Sequence, residues 1–341
     1  MVAGAEQKLY KSSNLNHMLS IAESIVAIII AKLGGKLLII LTSFVILSFI
    51  KCTILVLQSR RDHKYLKRVD NPDFSFKKDA NSLIVNKINT LIFENSNILI
   101  VSKFLGLKIV IVYNAYNQIV TMIKQMIQRL SAALLPSVGN LLVSEKEKAK
   151  SIFVELNSLL FYLANLLVVP IFFMLTPFIG LWYGSEYEST QLVCLLFSML
   201  LYIEIIRISL ETYVKAAGEF KKIKNCGIYQ SIVCLTLSLI LVNKFGIAGI
   251  LFATLFAFIT GTFTQYPKII CKQIINDKTK NYYLKVVKYA LGLFISFGII
   301  YFVDSHIHIA SLITWGLKGV LLFTINFVIT SLYYYLIKET Y

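Results

Sequence analysis

The feature that most constrains the fold is a series of apolar stretches, each about as long as a membrane-spanning helix. Residues 36–57 read KLLIILTSFVILSFIKCTILVL, and residues 309–336 are similarly apolar. A bilayer core about 30 Å thick requires roughly 20 apolar residues in a helix. A soluble protein would carry about 25% charged residues, whereas this chain carries 15%. The sequence therefore predicts an all-α integral membrane protein.

Hydropathy predicts about ten transmembrane helices. The third and fourth predicted spans are rich in Asn, Gln and charged residues, and such side chains face other helices or an aqueous cavity rather than lipid. The predicted spans are 13–33, 36–57, 81–105, 109–134, 152–181, 188–214, 225–243, 246–267, 287–303 and 309–336.

The positive charge is distributed in an alternating pattern. The chain has 34 Lys and Arg against 18 Asp and Glu, a formal net charge of +16, which in a soluble protein would suggest nucleic-acid binding. Here most of the basic residues lie at the termini and in every second gap between spans, and the other gaps have few. This positive-inside pattern predicts cytoplasmic termini. We therefore expect no nucleic-acid partner.

The sequence contains no recognised catalytic motif. H-E-x-x-H, G-x-S-x-G and P-loop patterns do not occur. His306 and His308 share a short predicted outer gap with Asp304, which favours a solvated loop over a metal cage. The five cysteines lack metal-ligand spacing and fit apolar filler. We predict no catalytic residue, metal or cofactor, and hence no enzyme.

Charged residues inside the predicted spans are the candidate binding residues. Glu204, Arg207 and Glu211 lie at spacings of three and four on one face of the sixth span. Two interpretations stay open at this point. Either Glu204 and Arg207 form an ion pair that only neutralises itself, or this face is the polar wall of a central cavity.

Two cations of the fourth span allow a similar choice. Lys124 and Arg129 either extend to the cytoplasmic headgroups or line the cavity, whereas Glu94, in the middle of the third span, has no such route to the surface. A cavity holding Arg207, Arg129 and Lys124 would suit an anionic headgroup such as a pyrophosphate.

Three prolines predict breaks in the helices. Pro136 is expected to end the fourth helix, and Pro170 and Pro177 are expected to interrupt the fifth. Such breaks permit the bending that alternating-access carriers use.

Five segments in order carry a family resemblance: SKFLGLKIVIVYNAYNQIV from Ser102, SVGNLLVSEKEKA from Ser137, TPFIGLWYGSEY from Thr176, YVKAAGEF from Tyr213 and LVNKFGIAGILFATL from Leu241. Together they resemble the C-terminal half of bacterial polysaccharide flippases of the multidrug/oligosaccharidyl-lipid/polysaccharide exporter superfamily. The resemblance covers roughly residues 81–275.

The resemblance implies a division of the chain. Family members typically have two six-helix lobes and two further helices, and this chain resembles helices five to fourteen of them. That implies an N-terminally truncated member with one complete six-helix lobe plus flanking helices. Residues 1–58 would be a two-helix remnant of the N-terminal lobe, 59–80 a basic cytoplasmic loop, 81–275 the C-terminal transporter lobe, and 276–341 two additional helices.

The resemblance also implies a function. It is the flipping of undecaprenyl-pyrophosphate-linked oligosaccharides across the bacterial inner membrane for lipopolysaccharide or capsule synthesis, with membrane lipids and other polysaccharide assembly proteins as partners. Arg207 matches a family Arg and is the implied headgroup ligand. Asn97 stands where the family usually has Asp, which argues against carboxylate-based ion coupling there, and Glu94, one turn earlier, is the implied substitute.

Three alternative functions remain open from the sequence. A drug or cation antiporter of the same superfamily would line its cavity with carboxylates rather than Arg and Lys. A membrane-embedded glycosyl polymerase would need large outer loops with catalytic residues. An inactive fragment would transport nothing by itself.

Overall fold

The computed structural model describes residues 9–62, 77–274, 278–305, 307 and 311–337, and within them the chain is helical without strands. The all-α prediction is confirmed. The α-helices are α1 (Leu9–Lys32), α2 (Leu37–Asp62), α3 (Lys77–Leu105), α4 (Leu107–Ser144), α5 (Lys146–Tyr183), α6 (Gln191–Ala216), α7 (Phe220–Thr260), α8 (Thr262–Ile269), α9 (Thr279–Asp304) and α10 (Leu312–Ile337).

Helices α1 and α2 form one compact unit, and α3 to α10 form a second. The chain reverses between α1 and α2 at Gly34, whose φ of 76° favours glycine. Lys51 of α2 lies 3.5 Å from Glu23 of α1 and donates to the Ser20 hydroxyl at 2.8 Å. The charge of Lys51 is therefore paired within this unit.

Most of the described helices are suited to crossing a membrane. Seven helical runs are long and apolar enough, and α4 becomes an eighth when its two halves, which meet at 44°, count as one span. Helix α3 is not in this set, because its polar residues lower its hydropathy. It packs against α7 and α4 instead.

The helical run Phe220–Lys272, which includes α7 and α8, is long enough for two spans. It covers 53 residues, which in a straight helix would extend about 80 Å. The helix breaks at Gly246, where φ is 55° and ψ is −134°. The Cys234 Sγ atom lies 3.6 Å from the Thr254 hydroxyl oxygen, and the Gln230 side-chain amide donates to the Ala257 carbonyl. Because the earlier residue of the first half contacts the later residue of the second half, the two halves are antiparallel. With α3 and the bent α4 counted, the described residues contain about ten helical segments, which fits the predicted number.

Helix α6 lies at the centre of the second unit. It contacts α4, α5, α7 and α8, and most of its side chains are buried. Phe197 of α6 stacks on Tyr116 of α4, with 5.7 Å between ring centroids. Helices α9 and α10 also pack against α5. The face of α6 opposite α5 is thus available to line a space between α4 and α7.

The predicted helix breaks at proline are wrong. Helix α4 continues through Pro136 to Ser144, although Leu107–Arg129 and Leu134–Ser144 are bent relative to each other. Helix α5 includes both Pro170 and Pro177. Membrane helices tolerate proline where neighbouring groups satisfy the backbone carbonyls that it leaves unpaired.

Asn326 of α10 provides such a group at Pro170. Proline has no N–H, so the carbonyl four residues earlier, that of Leu166, lacks its helical donor. The Asn326 amide donates to the carbonyls of Leu166 and Asn165, both at 2.9 Å, and Asn326 is fully buried. Asn326 therefore keeps α5 continuous and joins it to α10.

We expect Asn326→Leu to lower the stability of the purified protein by about 1 kcal/mol, the usual size of an interhelical hydrogen bond in a membrane protein. Thermal unfolding in detergent would measure it. Thr324→Val is the matched control, since the exposed Thr324 hydroxyl bonds only to the Val320 carbonyl of its own helix. Equal unfolding temperatures for the two variants would contradict the assignment.

Candidate functional site

A cavity of about 680 Å³ lies between α3, α4, α6 and α7. Its lining is predominantly polar, with acidic, basic and amide side chains. The polar faces predicted for the third and fourth spans do border this cavity, through Asn86, Lys87, Asn89, Thr90, Asn95, Asn97, Asn117, Thr121, Lys124, Gln125 and Gln128. Their location explains how two poorly apolar helices are accommodated in a membrane protein.

On α6, the spacing of three and four residues brings Glu204, Arg207 and Glu211 together. The Arg207 guanidinium lies 2.7 Å from Glu204 Oε2 and also pairs with Glu211. The three side chains line the cavity. The ion pair and the polar wall that the sequence offered as alternatives therefore occur together, because the paired side chains line the cavity.

One further lysine pairs with each of the two glutamates. Lys124 of α4 lies 3.4 Å from Glu204, and Lys215 lies 3.0 Å from Glu211. We call the alternating series Lys124, Glu204, Arg207, Glu211 and Lys215 the charge ladder. Each carboxylate sits between two cations, which offsets the cost of removing its charge from water.

The central cation of the ladder, Arg207, is largely buried and also contacts an aromatic ring. The Arg207 side chain is 15% exposed, and its guanidinium lies 4.6 Å from the centroid of the Phe258 ring of α7. A cation over an aromatic face gains further electrostatic stabilisation. Arg207 is thus fixed by α6 and α7 together, with its charge directed along the cavity wall.

The structure brings most of the predicted site residues together. Arg129 is exposed and is not part of the lining, because it lies five residues after Lys124 and hence about 140° further round the helix. The Glu94 side chain, His306 and His308 lie outside the described residues. The predicted residues that line the cavity are Asn97, Lys124, Glu204, Arg207 and Glu211.

Asn97 belongs to a neutral cluster deeper in the unit. It is 5% exposed and donates to the Thr254 hydroxyl at 3.0 Å. The Cys234 Sγ atom lies 3.9 Å from the side-chain oxygen Oδ1 of Asn97. The Ser238 hydroxyl lies 3.9 Å from the same sulfur atom. The hydrogen bonds that the structure describes for Asn97 are to neutral groups. These contacts join α3 to both halves of α7.

The sequence analysis placed the amides of the third and fourth spans towards other helices or an aqueous cavity, but it counted only Asn97 among the candidate binding residues. On α4, Asn117, Thr121, Gln125 and Gln128 repeat at intervals of three and four and so share one face with Lys124. That periodicity was available in the sequence. In the described part of the chain, no group of three or more His, Cys, Asp and Glu side chains has a geometry suited to a metal ion.

A bundle of membrane-crossing helices around a polar cavity is the architecture of a multi-pass membrane transporter. The chain belongs to the polysaccharide biosynthesis protein family, whose profile matches residues 6–192. This confirms the resemblance seen in the sequence. No curated protein sequence matches the chain at a significant level.

The fold also occurs among solved structures. The chain is similar to the lipid II flippase MurJ in its inward closed conformation, with a TM-score of 0.65 and 17% sequence identity. The match covers 98% of this chain and 69% of that one. At this identity the similarity shows the shared fold.

Proposed function

We propose that this protein translocates lipid-linked oligosaccharides across a membrane for polysaccharide biosynthesis, and that the lipid carrier is undecaprenyl pyrophosphate. The observation that carries the proposal is the charge ladder in a cavity of about 680 Å³ inside a membrane-embedded bundle. Family membership and a fold shared with a lipid II flippase support it.

The ladder suits the chemistry of such a cargo. A pyrophosphate and its sugars lose their hydration in hydrocarbon at a cost of many kcal/mol, so they require a polar path. Arg207 and Lys124 offer charge-assisted hydrogen bonds to phosphate oxygens. Until cargo arrives, Glu204 and Glu211 satisfy these cations. The cavity can therefore exchange internal carboxylate partners for an anionic headgroup.

The proposal includes a location and an orientation. We place the protein in the bacterial inner membrane with both termini in the cytoplasm, supported by the alternation of Lys and Arg between the spans. Membrane lipids and other polysaccharide assembly proteins would be its partners. The division into a two-helix N-terminal part, a six-helix lobe over 81–275 and two further helices is part of the same proposal.

A drug or cation antiporter is the second candidate, because Glu204 and Glu211 do line the cavity. However, the ladder holds three cations and two carboxylates. That balance favours an anionic cargo. The antiporter would be favoured if the protein exported a cationic dye and moved no lipid-linked sugar, and if replacing the ladder cations left the dye export unchanged.

The test is reconstitution of the full chain into vesicles that contain a fluorescent undecaprenyl-pyrophosphate-linked oligosaccharide, with its exposure followed by a membrane-impermeant quencher. We expect translocation above that of protein-free vesicles. Lys124→Met should lower the rate about tenfold, equivalent to about 1.4 kcal/mol, since it removes one end of the ladder.

Lys108→Met is the matched control for Lys124→Met. Lys108 also pairs with a glutamate, Glu186, but its side chain is 66% exposed and lies outside the cavity lining. Its rate should stay within twofold of the unaltered protein. A chain that moves no lipid-linked oligosaccharide, or equal losses in the two variants, would contradict the proposed role of the cavity.

A further inference from the structure

We infer that five amide side chains of the cavity form a carbohydrate-binding surface, so that the protein recognises the sugar portion of its cargo as well as the anionic headgroup. This inference rests on the proposed function. We call these side chains the amide surface: Asn86 and Asn89 of α3 with Asn117, Gln125 and Gln128 of α4.

The members of the amide surface differ from other amides of the cavity in having no side-chain hydrogen bond within the described part of the structure. Asn97 donates to Thr254, and Gln230 donates to Thr262 at 2.8 Å. By contrast, the Asn89 amide nitrogen is buried without a partner. A buried unpaired donor costs about 1–3 kcal/mol, so the Asn89 side chain gains free energy if it turns into the cavity and donates to a cargo group.

The charged groups and the amides of the cavity differ in the hydrogen bonds that they can make. Lys124, Arg207 and Lys215 are paired with Glu204 and Glu211 along the ladder. Ammonium and guanidinium groups only donate hydrogen bonds, and carboxylates only accept them. Each amide does both, with two N–H donors and a carbonyl oxygen. Sugar hydroxyls also donate and accept, so an amide lining is complementary to a neutral glycan.

Helix α7 contacts the two amide residues of α3 and so holds them beside the cavity. Ser231 of α7 donates to the Asn89 backbone carbonyl at 3.4 Å. Gly227 of α7 faces the same two amides, and a methyl group there would lie 3.2 Å from Asn86 Oδ1 and 3.6 Å from Asn89 Nδ2. The absence of a side chain at Gly227 therefore leaves room for both amides beside α7.

The volume is suited to this cargo. Sites for small molecules are typically about 300–1,000 Å³, and this cavity is about 680 Å³. The amide surface and the ladder line the same cavity from different helices, α3 and α4 against α6. A glycan on the amide surface would place its attached phosphate within the cavity that holds the ladder cations.

The test is a binding measurement on the full chain purified in detergent. One probe is the water-soluble glycan released by mild acid from the lipid-linked oligosaccharides of the producing cells, and the other is inorganic pyrophosphate. The triple variant Asn117→Leu, Gln125→Leu and Gln128→Leu should weaken glycan binding at least tenfold and change pyrophosphate binding less than twofold.

Gln118→Leu is the matched control, because Gln118 is an exposed α4 residue outside the cavity lining, and it should change neither affinity. If the triple variant does not elute as a single species, the single variant Gln125→Leu takes its place, since Gln125 is exposed. A glycan that does not bind the unaltered protein, or equal losses for both probes, overturns the inference.

The outcome is separable from that of the vesicle assay. Glycan binding that depends on the amide surface, in a protein that moves no lipid-linked oligosaccharide, supports carbohydrate recognition and refutes translocation. Translocation that persists in the triple variant at the rate of Gln118→Leu refutes carbohydrate recognition and leaves the proposed function standing.

Discussion

Replacing Arg207 by alanine is expected to abolish translocation and to destabilise the protein by about 3–5 kcal/mol, the cost of breaking a buried ion pair by removing one partner. Arg207 is the shared partner of Glu204 and Glu211. Without it, Glu204 keeps only Lys124, and Glu211 keeps only Lys215, whose side chain is 43% exposed. Arg207→Lys should retain the charge but not transport, because one ammonium group cannot reproduce the planar guanidinium that contacts both.

A second variant separates folding from function at this position. In Arg207→Met combined with Glu211→Gln, the Lys124–Glu204 pair remains, and Lys215, whose side chain is 43% exposed, can be solvated. We expect stability to return to within about 1 kcal/mol of the unaltered protein, since no buried charge is left unpaired. Translocation should stay absent, because the central cation is missing.

Thermal unfolding and the vesicle assay measure the two effects separately. Normal translocation by Arg207→Ala would refute the assignment of Arg207 as the headgroup ligand. Recovery of transport in the double variant would show that the guanidinium is needed only for folding. Either result would move the cargo site away from the centre of the ladder.

Replacing Gly246 by valine is expected to destabilise the protein by about 3 kcal/mol, near the upper end for a strained backbone conformation. At φ 55° and ψ −134°, the Gly246 backbone occupies a region that β-branched residues avoid. The variant must distort the turn that makes the halves of α7 antiparallel. The contacts of Cys234 with Thr254 and of Asn97 with Thr254 depend on that turn.

Gly298→Val provides the control for Gly246→Val. Gly298 lies inside α9 with open space where a Cβ would be placed, so the change should be neutral or slightly stabilising. Yield of monodisperse protein and unfolding temperature compare the two variants. If Gly246→Val were as stable as Gly298→Val, α7 would not depend on a glycine turn.

Features governed by the local sequence could be predicted. The strongly apolar spans follow from hydropathy, and the Glu204–Arg207 pair follows from helical spacing. The position of Arg129 away from the cavity could also have been found, because its angular offset from Lys124 is a property of a single helix.

Features that depend on packing could not be predicted. The salt bridge between Lys124 and Glu204 joins α4 to α6, and no local pattern specifies which helices become neighbours. Pro170 is a helix breaker by every local rule, and its compensating partner, Asn326, lies in the last helix. The sequence therefore indicated which residues are polar, while the tertiary structure decided which of them meet.

The composition of α3 has a consequence for the biogenesis of the protein. Helix α3 is too polar to remain in lipid alone, and it packs against α7. Yet α3 ends at Leu105, whereas α7 begins at Phe220. At a synthesis rate of about 5–20 residues per second, α7 follows after roughly 6 to 23 seconds. During that interval α3 has only α4 of its two neighbours, so we expect its membrane integration to be completed only after α7 has been synthesised.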